Sequence, residues 1–200
     1  IAANYLVGLA LAQARGTKYP DEVEREYNEL VAMPDLVARV LEHIGPVTEL
    51  GHRFAQSPTV LFLGRHVGYP VALEGALKLK ELAYMHAEGF AAGELKHGPI
   101  ALIEEGLPVI VVMPSPKNAA VLHAKLLSNI REIQARGAIT IVIAEEGDDT
   151  VRPYADHIMN AVVLTAVLSC LNSGMYTASR MLFVLAAGIV VVAGLLLRRV

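Results

Sequence analysis

The sequence predicts an α/β fold in which a doubly wound parallel sheet is flanked by helices. Three short runs rich in β-branched residues have the length and composition of buried strands: 59–63, 107–113 and 138–144. Stretches with apolar residues at helical spacing separate them, one beginning at Pro70 and one covering 117–136. Because strands that alternate with helices form parallel sheets, we expect βαβ units and a last short strand near 155–158.

The helix that begins at Pro70 carries three ionisable residues on one face. Glu74, Lys78 and Glu81 are spaced at i, i+4 and i+7, which places them along about two turns. Glu74 precedes Lys78 by four residues, the favourable order for an ion pair on a helix. The pattern fits either a solvated, salt-bridged face or a carboxylate pair that a lysine tunes for proton transfer.

Residues 93–99, with the sequence GELKHGP, follow that helix and contain His97. The glycines and the Gly98-Pro99 pair disfavour continued helix and favour a fixed turn. A histidine held in such a turn can transfer protons near neutral pH, although a loop histidine is more often a surface residue. The other histidines show no spacing typical of metal ligands, so we expect no metal.

The run ALEGALKLKELAYMHAEGFAAGELKHGP, followed by PVIVVMP, closely resembles the second sugar-isomerase (SIS) subdomain of the glutamine–fructose-6-phosphate aminotransferases, or glucosamine-6-phosphate synthases. ALEGALKLKE and GELKHGP are the specific signatures, and the resemblance extends from residue 1 to about 157. It implies an SIS-type doubly wound parallel sheet. It also implies the end of a first SIS subdomain at 1–17, connecting helices at 18–56 and a truncated second SIS subdomain at 57–158.

The resemblance also implies a reaction. Enzymes of this family form glucosamine 6-phosphate from fructose 6-phosphate and glutamine-derived ammonia by ketose–aldose isomerisation. Glu81 matches the base that moves a proton between C1 and C2 of the sugar, and Glu74 and Lys78 match positions beside it. His97 matches the histidine of sugar-ring opening, contributed across a dimer interface, so the implied partners are a phosphosugar and a second copy. No organic cofactor is implied.

The loop 64–69 after the first strand contains no Ser or Thr. Loops that hold a phosphate at a helix N-terminus usually combine glycine N–H groups with hydroxyls, so we do not expect the sugar phosphate to bind there. Arg65 and His66 could contact another anion. In the family that the sequence resembles, the Ser/Thr-rich phosphate-binding loop belongs to the first SIS half. The lysine that forms an imine with the sugar belongs to a polar C-terminal tail, which this sequence does not match. We therefore expect the chain to be inactive by itself.

Charge divides the chain into two compositions. The whole chain has 17 basic and 20 acidic residues, so it lacks the excess of positive charge that is typical of nucleic-acid-binding proteins. Residues 161–200 contain three arginines and no acidic residue, so residues 1–160 are the acidic part. The single cysteine is Cys170, which excludes a disulfide within the chain and fits a reducing compartment. We expect the body of the protein to be cytoplasmic.

The tail, 159–200, is apolar and predicted to be helical. Residues 181–197 are uncharged and lie between Arg180 and Arg198, at the lower limit of length for a membrane span. VLSCLNSGMYTASRMLFVLA resembles part of the amino-acid permeases of the amino acid–polyamine–organocation family. The tail is therefore a membrane-inserting segment, a helix buried in a globular core, or the product of a chimeric gene.

Three functions follow from the sequence. The first is the isomerase half of a glucosamine-6-phosphate synthase, with Glu81, His97, Glu74 and Lys78 as catalytic residues. The second is a non-catalytic SIS module that binds phosphosugars, and the third is a membrane-tethered fragment. An intact Ser/Thr phosphate loop would favour the second, and several further spans would be needed for the third.

Overall fold

The computed structural model describes residues 2–42 and 44–160 of the chain. The described residues fall into two compact units, 2–37 and 38–160. The predicted helical tail lies outside the described residues from position 161 onward, and so does the proposed membrane span. Residues 159 and 160, which the prediction assigned to the tail, belong instead to the last strand of the sheet. Within the described part of the chain, no helix is both long and apolar enough to cross a membrane.

The first unit is built on the helices α1 (Ala2–Ala14) and α2 (Pro20–Val31). Tyr5 and Leu9 of α1 are buried against apolar side chains of α2. The Tyr5 hydroxyl donates a hydrogen bond to Glu26 Oε2 at 3.2 Å, and Lys18 forms an ion pair with the same carboxylate. Glu26 can therefore be buried in a small unit because both of its oxygens have partners. The helix α3 (Met33–Glu42) follows.

The second unit contains a five-stranded sheet in which every neighbouring pair is parallel. Its strands are β1 (Thr59–Gly64), β2 (His86–Ala91), β3 (Pro108–Val112), β4 (Ile139–Ala144) and β5 (His157–Asn160). The spatial order β2-β1-β3-β4-β5 is that of a doubly wound sheet, which confirms the predicted fold class. In this order β2 lies on one side of β1, whereas β3, β4 and β5 follow one another on the other side. The order of the strands therefore reverses between β1 and β3.

Helices cover both faces of the sheet: α4 (Gly45–Phe54), α5 (Gly68–Lys78) and α6 (Ala120–Gln134). The larger core lies beneath α6, where Leu126 and Ile130 pack with alternate residues of β1 and β3. The smaller core lies beneath α5 and is made of Val60, Phe62 and the alanines Ala72 and Ala76. Shorter helical segments complete the connections: Leu79–Ala83, Ala92–His97, Pro99–Leu102 and Asp149–Tyr154.

Glycines let α5 lie very close to the sheet. A Cβ atom on Gly75 would lie 2.7 Å from the ring of Phe62, and one on Gly89 would lie 3.0 Å from the Leu73 backbone. The turn that joins β1 to α5 is tighter still, because a Cβ atom on Gly64 would lie 2.0 Å from the carbonyl oxygen of Gly68. The close approach of α5 to the sheet therefore depends on glycine at these three positions.

Two polar links hold the loop that follows β4, the first to the loop after β3 and the second to α6. Glu145 accepts hydrogen bonds from Ser115 Oγ at 2.6 Å and from Lys117 Nζ at 2.8 Å. The buried pair His123 and Asp148 are 2.7 Å apart between Nε2 and Oδ2. Burial alone would raise the pKa of Asp148, but hydrogen bonds from Thr150 and His123 outweigh it and hold that pKa below its ordinary value.

We expect Asp148→Asn to lower the free energy of unfolding by about 1.5–3 kcal/mol at pH 7, because hydrogen bonds to a buried carboxylate are lost. Since folding lowers the pKa of Asp148, its stabilisation is present above the unfolded pKa of about 3.9 and is lost as the pH falls through the folded value. Urea unfolding between pH 7 and pH 3 measures this. The variant should lose less stability on acidification than the wild type does.

The neighbouring Asp149 provides the matched control. Its side chain is 78% exposed and pairs with Arg152 at 3.0 Å, so Asp149→Asn should change stability by less than about 0.5 kcal/mol. Equal effects of the two substitutions would contradict the role assigned to the buried pair.

Candidate active site

The three ionisable residues predicted to share a helix face do contact one another. Lys78 Nζ lies 2.6 Å from Glu81 Oε2 and 3.5 Å from Glu74 Oε1. The pairing of Glu74 with Lys78 expected from their spacing is present, but the contact with Glu81 is the closer of the two. Both carboxylates therefore contact one ammonium group.

This group lies on the outer side of α5, away from the sheet. The side chains of Glu74, Lys78 and Glu81 are each about half exposed, at 54%, 48% and 50%. The hydrogen bond to Glu81 raises the pKa of Lys78 against the opposing effect of desolvation, and the charges of Glu81 and Glu74 add to the increase. Lys78 therefore remains a cation near neutral pH, in a setting that solvent still reaches.

Glu81 does not lie on the α-helix itself. The α-helix ends at Lys78, and Leu79–Ala83 forms a single π-helical turn. Tyr84 ends this turn with a φ of 54°, in the left-handed region that non-glycine residues seldom adopt. The helical spacing of the apolar residues after Pro70 does not indicate this π-turn. Its Leu and Ala residues are ordinary helix formers that give no signal of it.

His97 ends the helical segment Ala92–His97, which directly follows β2. Ala92 and Leu95 are fully buried in the larger core and fix this segment, while His97 is exposed. The predicted fixed turn is thus a short 3-10 helix. Gly98 follows it directly and has a φ of 149°.

The fold keeps Glu81 and His97 of one chain apart. Because α5 returns along the sheet, Glu81 comes just before the amino end of β2, whereas His97 follows its carboxyl end. A strand of six residues spans about 20 Å. The structure therefore brings together Glu74, Lys78 and Glu81, but does not bring His97 to them within one copy.

Arg65 makes a contact for which the sequence gives no signal. It follows β1 at the point where the sheet order reverses, and its guanidinium lies over Gly93, where a Cβ atom would be 3.1 Å from Nη2. Its Nε is buried without a hydrogen-bond partner among the described residues. The anion contact predicted for Arg65 and His66 stays a prediction. The contact with Gly93 links Arg65 to the segment that carries His97.

An apolar cavity of about 180 Å³ lies between α4 and the sheet. Leu79 and Met85 line it, together with Phe54, Ile110 and Met159. None of the four candidate catalytic residues lines this cavity, so it is separate from the carboxylate group. In residues 2–42 and 44–160, no three His, Cys, Asp or Glu side chains lie close enough to hold a metal ion.

A family model supports the SIS resemblance. The SIS domain model matches residues 53–191, which is more than half of the chain. The matched stretch includes β1 to β5, α5 and all four candidate residues. It also continues to position 191, beyond the described residues, which end at 160.

Curated relatives and solved structures agree with this match. The chain is 83% identical over 173 residues to glutamine–fructose-6-phosphate aminotransferase (isomerizing) from Mycobacterium tuberculosis, covering 86% of this chain and 28% of that protein. The enzyme of the same name from Streptomyces coelicolor is 66% identical over 159 residues, covering 80% and 26%. The C-terminal domain of glucosamine-fructose-6-phosphate aminotransferase from Francisella tularensis superposes with a TM-score of 0.67 at 31% identity, covering 85% of this chain and 49% of that one. The chain thus spans about a quarter of the length of these curated relatives.

Proposed function

Since this chain belongs to the SIS domain family, we propose that it is the isomerase part of a glutamine–fructose-6-phosphate aminotransferase. In this proposal it converts fructose 6-phosphate, with ammonia released from glutamine, into glucosamine 6-phosphate. The observation that carries the proposal is the contact of one lysine with two carboxylates on α5 and the turn after it. The names of the relatives support the choice of reaction.

The proposed base is Glu81. Moving a hydrogen between C1 and C2 of a sugar requires one group that removes a proton from one carbon and returns it to the next. A carboxylate on the π-turn can do this, because it is half exposed and is fixed at one oxygen by Lys78. Lys78, whose pKa is raised, remains charged and holds Glu81 in place, while Glu74 pairs with the other side of the ammonium.

The substrate is a phosphosugar, and its phosphate is bound by groups outside the turn after β1. That turn contains no Ser or Thr hydroxyl of the kind that usually binds a phosphate at a helix N-terminus. The exposed carboxylate group also needs a second surface to exclude water from the reacting carbon. We infer that the chain acts as part of a longer enzyme and is inactive alone.

His97 is the proposed group for opening the sugar ring, and it acts on the Glu81 of a second copy. The separation of Glu81 and His97 along β2 supports this arrangement, since one chain does not bring them together. In a dimer with two-fold symmetry, each copy would contribute Glu81 to one site and His97 to the other.

The proposal is tested by transplanting residues 2–160 into the enzyme of M. tuberculosis in place of the matching stretch. We expect the hybrid to form glucosamine 6-phosphate from fructose 6-phosphate and glutamine at a rate similar to that of the recipient enzyme. A hybrid that folds and still hydrolyses glutamine but forms no glucosamine 6-phosphate would overturn it. If such a hybrid binds fructose 6-phosphate without converting it, the chain is instead a phosphosugar-binding module.

Mixing two inactive hybrids tests the exchange of residues between copies. We expect Glu81→Gln and His97→Asn hybrids to be inactive separately. When they are unfolded and refolded together in equal amounts, half of the dimers are mixed and each has one native site. Activity should recover to about a quarter of the wild-type value. No recovery in mixed dimers of confirmed composition would show that Glu81 and His97 act within one copy.

Two remaining expectations belong to the same proposal. The acidic body makes nucleic acid an unsuitable partner, and a phosphosugar enzyme of this kind works in the cytoplasm.

Membrane association would depend on residues 181–197 alone. Fractionation of the expressed chain with and without 161–200 would detect it as a shift of the longer form to the membrane pellet.

A further inference from the structure

The backbone between Lys78 and β2 departs from regular helix at two adjacent places. Leu79–Ala83 forms the π-turn, and Tyr84 follows it with φ and ψ of 54° and 26°. β2 begins only two residues later, at His86. π-turns and left-handed non-glycine residues are both uncommon, and both concentrate at functional sites.

Nothing in the packing of Tyr84 explains why a tyrosine occupies this position. Glycine adopts the left-handed conformation freely, whereas an aromatic residue is strained in it. Tyr84 is 91% exposed, so its ring gains almost no contact within the described residues. Leu82, two residues earlier, is 77% exposed and contributes no buried contact either. The feature that matters to the fold is therefore the backbone conformation.

The direction of Glu81 depends on that conformation. Glu81 lies in the middle of the π-turn and contacts Lys78, which lies on the α-helix before it. A π-turn is wider than an α-turn, so it rotates Glu81 relative to the helix axis. Tyr84 ends the turn, and two residues later His86 pairs with Thr59 as the first residue of β2.

We propose that Tyr84 is a positioning residue for the proposed base: its left-handed backbone closes the π-turn and so holds Glu81 against Lys78. The catalytic consequence of this inference rests on the proposed function, but its geometric part does not. The two parts can be tested separately.

The geometric test uses the chain itself and follows the Lys78 side chain by NMR during a pH titration. In the wild type the hydrogen bond to Glu81 raises the pKa of Lys78. Tyr84→Gly and Tyr84→Asn tolerate the left-handed conformation and should keep this pKa raised. Tyr84→Val, which is β-branched, should bring it back toward the ordinary value. A Val variant in which the pKa of Lys78 stays raised overturns the inference.

Tyr84→Ala is the second variant if the Val variant does not fold, since alanine is strained less than a β-branched residue. It should show a smaller decrease of the Lys78 pKa. Tyr19→Val is the matched control, because Tyr19 is also exposed, at 76%, but has an ordinary φ of −75°. It should leave the Lys78 titration unchanged.

The catalytic test uses the same substitutions in the M. tuberculosis hybrid. Tyr84→Gly should retain kcat within about twofold, whereas Tyr84→Val should lower kcat about 10- to 100-fold and change KM less than twofold, because the base and not the substrate is displaced. Loss of kcat in Tyr84→Gly while the Lys78 pKa stays raised would show that the ring itself is needed, which overturns the inference. An inactive wild-type hybrid refutes the proposed function, and the Lys78 titration then still decides the geometry.

Discussion

Replacing Glu81 with glutamine in the hybrid enzyme is expected to lower the rate of sugar isomerisation by about 10²- to 10⁴-fold, the usual contribution of a general base. Glutamine has nearly the same shape but cannot take up a proton. The amide oxygen of glutamine can still accept a hydrogen bond from Lys78, so the fold should be unaffected. The measurement is the rate of glucosamine 6-phosphate formation at saturating fructose 6-phosphate, with glutamine hydrolysis followed in parallel.

The control for this substitution is Glu104→Gln, on the exposed loop before β3. It removes a carboxylate of the same type without touching Lys78, and should leave both activities within about twofold of the wild type. If Glu81→Gln isomerises at the rate of this control, Glu81 is not the base. Glu74→Gln would be the next variant to compare, because Glu74 is the other carboxylate that contacts Lys78.

The strands and helices with strong patterns were predictable, and the exceptions have a common cause. Runs of Val, Ile and Leu predicted β1, β3 and β4, and β5 was expected within two residues of its position. The strand β2, HAEGFA, was missed because it has no β-branched residue. It is a strand because the small residues Ala87 and Gly89 let α5 approach closely, and that contact is between distant parts of the sequence.

The candidate site shows the same limit. Helical spacing was sufficient to predict that Glu74 and Lys78 would pair, because both lie on one regular helix. It could not predict that the closest contact of Lys78 is with Glu81 across a π-turn, or that β2 separates Glu81 from His97. The spacing of residues along a helix carries no information about where the helix ends or which strand follows. Those features depend on Gly89, Tyr84 and the register of β2 with β1.

Substitution of Gly64 with alanine is expected to lower the free energy of unfolding by about 3 kcal/mol or more, the upper range for overpacking. The added Cβ atom would lie 2.0 Å from the carbonyl oxygen of Gly68 and 2.6 Å from the backbone nitrogen of Tyr69. Both neighbours are backbone atoms at the start of α5, and a Cβ atom on Gly68 would in turn lie 3.1 Å from the carbonyl oxygen of Val112 in β3. The clash cannot be relieved by a side-chain rotation, so α5 must move. Urea unfolding at pH 7 measures the loss.

Gly51→Ala is the matched control, and it should have the opposite sign. Gly51 lies within α4, and no atom lies within 4 Å of the position where its Cβ would be. Alanine there should stabilise the chain by about 0.5–1 kcal/mol, because glycine is unfavourable inside a helix. Since α5 carries Glu74 and Lys78 and leads into Glu81, any Gly64→Ala protein that still folds should also bind fructose 6-phosphate less tightly in the hybrid enzyme. A Gly64→Ala variant as stable as Gly51→Ala would mean that the turn after β1 does not fix the helix that carries the site.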